Sequence, residues 1–254
     1  MKNVFDVKKE VEGIVEFIRD YYEKNHLKGV VIGISGGKDS GVVAALFSKA
    51  LGKENVVGVT MPCHTPDSCR DDAKLVAEKY GFELINIDLT AAFDAFKEDF
   101  SKIGSVDPAN LKNSDINLKP RLRMATDYYV AAYYSALKGG TYLVAGTSNK
   151  SELFVGYFTK GGDSTYDIGV LNDFNVEEVI RIGEYLEVPE KVLYKTPNDD
   201  LSSMTDEDKL GVKYSEIAAY MNGENVEDKA RERIEKLHSG AAHKFHIPVY
   251  RRCA

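Results

Sequence analysis

Cysteine is scarce in this chain: Cys63, Cys69 and Cys253 are the only three in 254 residues, an odd number that builds no disulfide framework. The one cluster that suggests metal, Cys63-His64-Thr65-Pro66-Asp67-Ser68-Cys69, lacks a fourth ligand at zinc spacing. It reads as free thiols in a loop after a strand. Long apolar runs are missing too, so no segment approaches membrane-spanning length. The first residues lack the basic, apolar and small-residue layout of a secretory signal, which makes the expected location cytoplasmic, with no membrane partner. Positive charge is outweighed, 33 Lys and Arg against 40 Asp and Glu, and the net charge of −7 leaves no overall field for nucleic acid. An anionic substrate must therefore be met by local Lys and Arg. There are no solenoid-period repeats and no low-complexity tracts. With 43% hydrophobic and 29% charged residues, the chain reads as one soluble domain, residues 1–254.

What is present begins at Val30-Val31-Ile32-Gly33-Ile34-Ser35-Gly36-Gly37-Lys38-Asp39-Ser40. The apolar run reads as a buried strand, and the helical spacing of Gly41 to Phe47 makes the small-residue loop a helix opening. Two glycines let the backbone close on an anion, while N–H groups at a helix start supply donors and positive dipole. Ser35 and Ser40 add hydroxyls, Lys38 a positive charge, and Asp39 a carboxylate able to hold a divalent cation against phosphates. The spacing is not that of a Walker A loop, because Asp follows Lys directly.

Strands and helices alternate around it. Val4 to Lys24 suits a leading amphipathic helix; strands are expected at Gly29–Ile34, Val56–Met61, Phe82–Ile87 and Thr141–Ala145. Helices are expected from Pro66-Asp67 through Tyr80, near Ala91 to Phe100, and from about Leu118 to Leu137, with Ser101 to Asn117 a polar stretch between the last two. This β-α repetition demands a three-layer open parallel sheet with helices on both faces, and ligands then sit beyond the carboxyl ends of its strands. Thr147 to Asp173 is polar and glycine-rich, a functional loop or lid. After it the chain reads as helices, at Val176–Leu186, Lys213–Met221 and Val226–Leu237, which divides it into a sheet core of about 26–170 and a helical part of about 174–254.

Gly146-Thr147-Ser148-Asn149-Lys150-Ser151-Glu152 follows the fourth strand and delivers Thr147 and Glu152 to the same edge as the phosphate loop. Asp39 with Glu152 would give a hard cation two oxygens, phosphate and water completing an octahedron.

The Ser-Gly-Gly-Lys-Asp-Ser string resembles the pyrophosphate loop of ATP pyrophosphatases with the adenine-nucleotide α-hydrolase-like fold. Gly156-Tyr157-Phe158-Thr159-Lys160-Gly161-Gly162-Asp163-Ser164-Thr165-Tyr166-Asp167, taken with the stretch ending at Glu152, resembles NAD synthetases. So do Asn117-Leu118-Lys119-Pro120-Arg121-Leu122-Arg123-Met124, Thr205-Asp206-Glu207-Asp208-Lys209-Leu210-Gly211 and Ala242-His243-Lys244, in the family's order over nearly the whole chain. The resemblance implies ATP binding by Gly33, Ile34, Ser35, Gly36, Gly37, Lys38, Asp39, Ser40 and Thr147, with Asn198 standing where the family has a small hydroxyl residue. It implies Mg2+ on Asp39 and Glu152, and the dinucleotide acid deamido-NAD on Arg121, Lys160, Asp167, His243 and Lys244. Lys38, Asp39 and Asp163 are the expected catalytic side chains, Asp163 as proton acceptor for ammonium. The implied reaction joins ammonia to deamido-NAD through an acyl adenylate, in a homodimer whose interface would use the helix of Tyr128, Tyr129, Tyr133 and Tyr134. The length leaves no room for a glutaminase domain beside the synthetase pattern. Two departures stand out: a family Lys is missing around Asn172–Val176, and the tail after Lys244 reads Phe245-His246-Ile247-Pro248. Other ATP pyrophosphatases and a nucleotide-binding regulatory module share the first loop; a tRNA-modifying enzyme would add a basic face and cysteine pairs, which are missing here.

Overall fold

Val30, Val31 and Ile32 have no accessible surface, as a strand covered on both faces requires. The computed structural model describes residues 5–64, 68–195, 205–250 and 252, without the side chains of Ser68, Cys69, Pro108 and Lys112. It runs α1 (Val7–Lys24), β1 (Leu27–Gly33), α2 (Lys38–Leu51), β2 (Val56–Thr60), α3 (Ser68–Tyr80), β3 (Glu83–Asn86), α4 (Thr90–Ser101), α5 (Pro108–Lys138) and β4 (Thr141–Gly146). There follow α6 (Lys150–Val155), β5 (Ile168–Gly169), α7 (Val176–Tyr185), α8 (Glu190–Leu193), α9 (Asp206–Leu210), α10 (Tyr214–Met221) and α11 (Asp228–Phe245). The strands lie in the order β3-β2-β1-β4-β5, every neighbouring pair parallel, with Val30 opposite Val56 on one side and Leu143 on the other.

Each face of the sheet has its own core. Val11, Ile18, Phe47 and Ile182 of α1, α2 and α7 cover one, and Phe93, Val130 and Tyr134 of α4 and α5 pack on Val31, Val57 and Val144 of the other. A third cluster, around Ile217 and Ile234, joins α10 and α11 to Val155 of α6. That last packing brings the chain's end back over the strand tips.

Three expectations change. The long helix starts at Pro108 rather than about Leu118, because Asp107 caps it by accepting Ala109 N–H and Pro108 fits the first turn; the stretch from Pro108 to Asn117 is therefore helix. Within 147–173, read from sequence as one loop, lie α6 and a fifth strand. Strand β5 is two residues long and pairs through Ala145 with Ile168, too short for any alternation to show in the sequence. The expected helix at Val226–Leu237 runs on to Phe245, carrying His243 and Lys244 in its last turn.

Gly29 marks a close approach inside the sheet: a Cβ there would lie 2.2 Å from the Tyr142 ring and 2.6 Å from the Asn55 carbonyl oxygen. A backbone oxygen cannot swing aside, so Gly29→Ala is expected to cost about 2–4 kcal/mol, read as a lower urea midpoint at unchanged slope.

Candidate active site

The sheet hands its first strand straight into the loop. Ile34 N–H still donates to Val59 O at 2.8 Å, one residue beyond β1. The backbone then turns through Gly36, whose φ of +79° is a left-handed value that glycine adopts without strain. Ser35 and Ser40 hydroxyls stand 3.2 Å apart, Ser35 Oγ accepts Gly37 N–H, and Ser40 Oγ donates to Gly37 O. The turn is thus braced from inside. Gly37 is the N-cap of α2 and brings no side chain to it, leaving the first-turn amides for an anion.

Because β1 pairs with β4, the helices that follow them begin side by side. Asp39 Oδ1 accepts from Asn149 Nδ2 at 3.1 Å, and its Oδ2 lies 2.9 Å from Lys38 Nζ. Asn149, fully buried, caps α6 in a reciprocal pair: its Oδ1 accepts Glu152 N–H, and Glu152 Oε2 accepts Asn149 N–H. One asparagine therefore ties together the two carboxylates that the sequence offered as metal ligands. Glu152 keeps some accessible surface, yet protein surrounds it; burial first and the Asp39 charge second push its carboxyl up to about 8. Lys38 is 7% exposed and points at this carboxyl group pair, its Nζ 5.9 Å from the centre of the Tyr214 ring. The Tyr214 hydroxyl is buried without a hydrogen-bond partner among the described residues.

Among the described residues, no group of three or more His, Cys, Asp and Glu side chains forms an all-protein metal cage. Mg2+ does not need one, since it is held by one or two carboxylates while phosphate and water fill the other positions. A surrounded Glu152 that ionises only near 8 is a carboxyl short of positive charge, so the residues fit such an ion. The sign of the coupling follows. Raised above its ordinary 4.5, Glu152 contributes stability that is complete below pH 4.5 and lost as pH rises through about 8. The metal-free protein is expected to melt lower at pH 9 than at pH 6, with the difference reduced by millimolar Mg2+ and by Glu152→Gln, as thermal unfolding in each buffer would show.

Across the strand tips stands a cationic group drawn from three segments. Arg121 on α5 donates to Lys160 O at 3.3 Å, Lys160 Nζ donates to His243 O at 2.8 Å, and Lys244 Nζ donates to Gly156 O and Phe158 O at 2.7 and 2.6 Å. Arg121, Lys160, His243 and Lys244 are thus brought together. Asp167 is exposed but occupied, accepting from Tyr128 Oη and Val144 N–H. Asp163 opens to the cavity, its Oδ1 accepting Thr159 N–H at 2.6 Å; the protein around it raises its pKa, opposed by that bond and by Lys244. Between the loop and this group lies a cavity of about 540 Å³, walled by Gly33, Ile34, Ser35, Thr147, Asp163 and Lys244 and by Arg123 and Asp127 of α5. It sits at the carboxyl ends of β1, β2 and β4, where the topology requires a ligand. Asn198 lies outside the described residues. Cys63 is buried, its thiol pushed up by that burial, which leaves it inert.

Sequence reasoning passed over Asn149 and Asp127. Asn149 had a signal, Asn three residues before Glu at a helix start. Asp127 had none beyond its place one turn after Arg123.

A parallel sheet of this order, whose first strand breaks into a glycine-rich turn opening a helix beside a carboxylate pair, defines a nucleotide-binding α/β protein of the adenine-nucleotide α-hydrolase-like class. Residues 10–248 match the sequence profile of NAD synthase. The NH(3)-dependent NAD(+) synthetase of Archaeoglobus fulgidus is 38% identical over 251 residues, 96% of each chain. Among solved structures, an NMN synthetase from Francisella tularensis superposes with a TM-score of 0.88 at 31% identity, covering 98% of this chain and 100% of that one. The NH3-dependent NAD synthetase of Campylobacter jejuni does so with a TM-score of 0.77 at 28% identity, over the same shares. The chain belongs to the NAD synthase family and is a ligase forming carbon–nitrogen bonds.

Proposed function

We propose that the chain performs its family's reaction, ATP-dependent amidation of deamido-NAD with ammonia, in two steps at the cavity between the phosphate loop and the cationic group. The loop from Gly33 to Ser40 and Thr147 hold ATP, the leaving pyrophosphate lying against the α2 amides, Ser35 and Ser40. Asp39 and Glu152 hold Mg2+, which supplies positive charge to the phosphates when bound; Lys38 neutralises the carboxylates beside it. Arg121, Lys160, His243 and Lys244 draw in the acid, and Asp167 offers its carboxylate to a ribose hydroxyl. The nicotinate carboxylate attacks the α-phosphorus, pyrophosphate leaves, and ammonia displaces AMP from the acyl adenylate. Asp163 works from the loop, holding Thr159 at the cavity wall. The single observation behind this reading is the Asn149 bridge between Asp39 and Glu152, which sets both carboxylates next to the phosphate loop.

Residues 1–254 act as one catalytic unit on this view, in the cytoplasm, where ATP is available. The described residues include no helix long and apolar enough to cross a membrane. A homodimer is supported by Tyr129, Tyr133 and Leu137, spaced four apart on one face of α5 and 74, 58 and 60% exposed. Light scattering should give twice the monomer mass.

One finding favours a second acceptor: the higher TM-score is with a protein named for NMN synthesis, whose product is a mononucleotide. The experiment that decides is product analysis with ATP, Mg2+ and ammonium and either deamido-NAD or nicotinate mononucleotide as acid. NAD with AMP and pyrophosphate from the dinucleotide is the expected outcome; a larger kcat/KM for the mononucleotide would transfer the assignment to it, and no amide from either would end the reading.

A further inference from the structure

Ammonium is the one substrate of this reaction with a net positive charge, and it must be held near the activated carbonyl and lose a proton before it attacks. Asp163, the carboxyl that the sequence suggests, already accepts a peptide N–H and has Lys244 in its field. Another carboxyl lines the same cavity without such commitments. Asp127 stands on α5 one turn after Arg123, so the two side chains leave one helix face about 6 Å apart. Its Oδ1 is buried with no hydrogen-bond partner among the described residues. Gly33 leaves open the space beside its other oxygen: a Cβ there would lie 3.3 Å from Asp127 Oδ2 and 3.2 Å from Met61 Cε.

An orphaned carboxyl is costly inside a protein unless a ligand supplies donors. ATP and the acid bring chiefly negative charge, whereas ammonium brings positive charge and four N–H groups. Burial raises Asp127 to about 7, a value suited to taking a proton at neutral pH, with Arg123 opposing the shift. The neighbours from β1 and the end of β2, Gly33 and Met61, do not titrate. Asp167, beyond β4, is bound to Tyr128 and Val144 N–H.

We propose that Asp127 receives ammonium in the cavity and accepts its proton, while Arg123, one turn earlier, attracts the carboxyl end of the acid. The inference rests on the amidation reading. One N–H bond of ammonium breaks, its proton passing to the Asp127 carboxylate. The nitrogen lone pair forms the C–N bond, and the bond from the carbonyl carbon to the adenylate oxygen breaks with its electron pair leaving on AMP. A second proton departs from the nitrogen with AMP or to water, giving the neutral amide.

The test separates the two chemical steps in Asp127→Asn. Adenylation is read as ATP–pyrophosphate exchange driven by deamido-NAD and Mg2+ without ammonium. Amidation is read with two nucleophiles at pH 7: ammonium, with a pKa of about 9, is almost wholly protonated, whereas hydroxylamine, with a conjugate-acid pKa of about 6, is almost wholly free base. Exchange is expected within about twofold of wild type, ammonium-dependent kcat/KM lowered about 30-fold or more, and hydroxamate formation from hydroxylamine within about threefold. The ammonium deficit is expected to shrink as pH rises toward 9. Equal losses with both nucleophiles, an unchanged ammonium kcat/KM, or a raised KM for ATP in exchange would overturn the proposal. So would an ammonium-selective loss in Asp163→Asn that Asp127→Asn lacks. Asp127→Ser gives the same ratio of nucleophiles should the Asn variant not fold. Exchange missing in the wild type would overturn the amidation reading itself.

Discussion

Asp39→Asn is expected to lower pyrophosphate release from ATP about a thousandfold while the protein stays folded. Asp39 meets three groups at once: Lys38 Nζ at 2.9 Å, Asn149 Nδ2 at 3.1 Å, and, on the proposed reading, the Mg2+ that accompanies the phosphates. Asn keeps the shape and one acceptor oxygen but gives up the charge. The metal then retains only Glu152, and Lys38 retains only the more distant carboxylates that hold its ammonium charged, Glu152 and Asp206. Loss of metal-centred charge stabilisation at a phosphoryl group costs several kcal/mol of activation free energy, about 4 for the expected factor. The checks are the steady-state rate and Mn2+ binding by calorimetry, which should weaken in parallel. A variant with full Mn2+ affinity and full rate would remove Asp39 from the metal.

Lys244→Met should act on a different term. Lys244 reaches from the last turn of α11 to the carbonyls of Gly156 and Phe158, with its ammonium 5.0 Å from the centre of the Phe158 ring. Burial pulls its pKa below the usual lysine value while Asp163 opposes the shift, so it is a partly desolvated cation at the cavity wall. Methionine fills the volume and leaves two carbonyls without their donor, costing about 2 kcal/mol of stability. It also removes a half-buried cation from the cavity wall that the proposed reading turns toward the acid. The KM for the nicotinate nucleotide is expected to rise about 30-fold or more, with the KM for ATP within about threefold. A variant that loses stability but keeps its KM for the acid would make Lys244 a structural strap only.

The sequence made the first half of the sheet readable because its strands are continuous apolar runs between turn residues, the pattern of a strand buried on both faces. Val30 to Ile32 and Val56 to Val59 show it directly. The start of α5 was hidden because the sequence from Ala109 to Asn117 carries no apolar stripe; only Asp107-Pro108, a cap followed by a first-turn proline, marked it. Strand β5 was hidden by brevity, held by two paired residues rather than by pattern. The strand, glycine turn and helix start between Val30 and Phe47 were legible from their own residues. The meeting of Arg121, Lys160 and His243 was not, because it is made across 39 and 83 residues of chain, and only resemblance joined them. Asp127, in a helix rich in tyrosine, looks from sequence like one more polar position, and only packing against Gly33 and the cavity distinguishes it.

The central claim is that the acid's carboxylate attacks the α-phosphorus of ATP on the loop that follows β1. Deamido-NAD labelled with oxygen-18 in its carboxylate tests it in one turnover, by mass spectrometry of the products formed with ATP, Mg2+ and ammonium. One labelled oxygen in AMP, with none in pyrophosphate, is the predicted result. Label in inorganic phosphate accompanied by ADP would mean attack at the terminal phosphorus and would contradict the account.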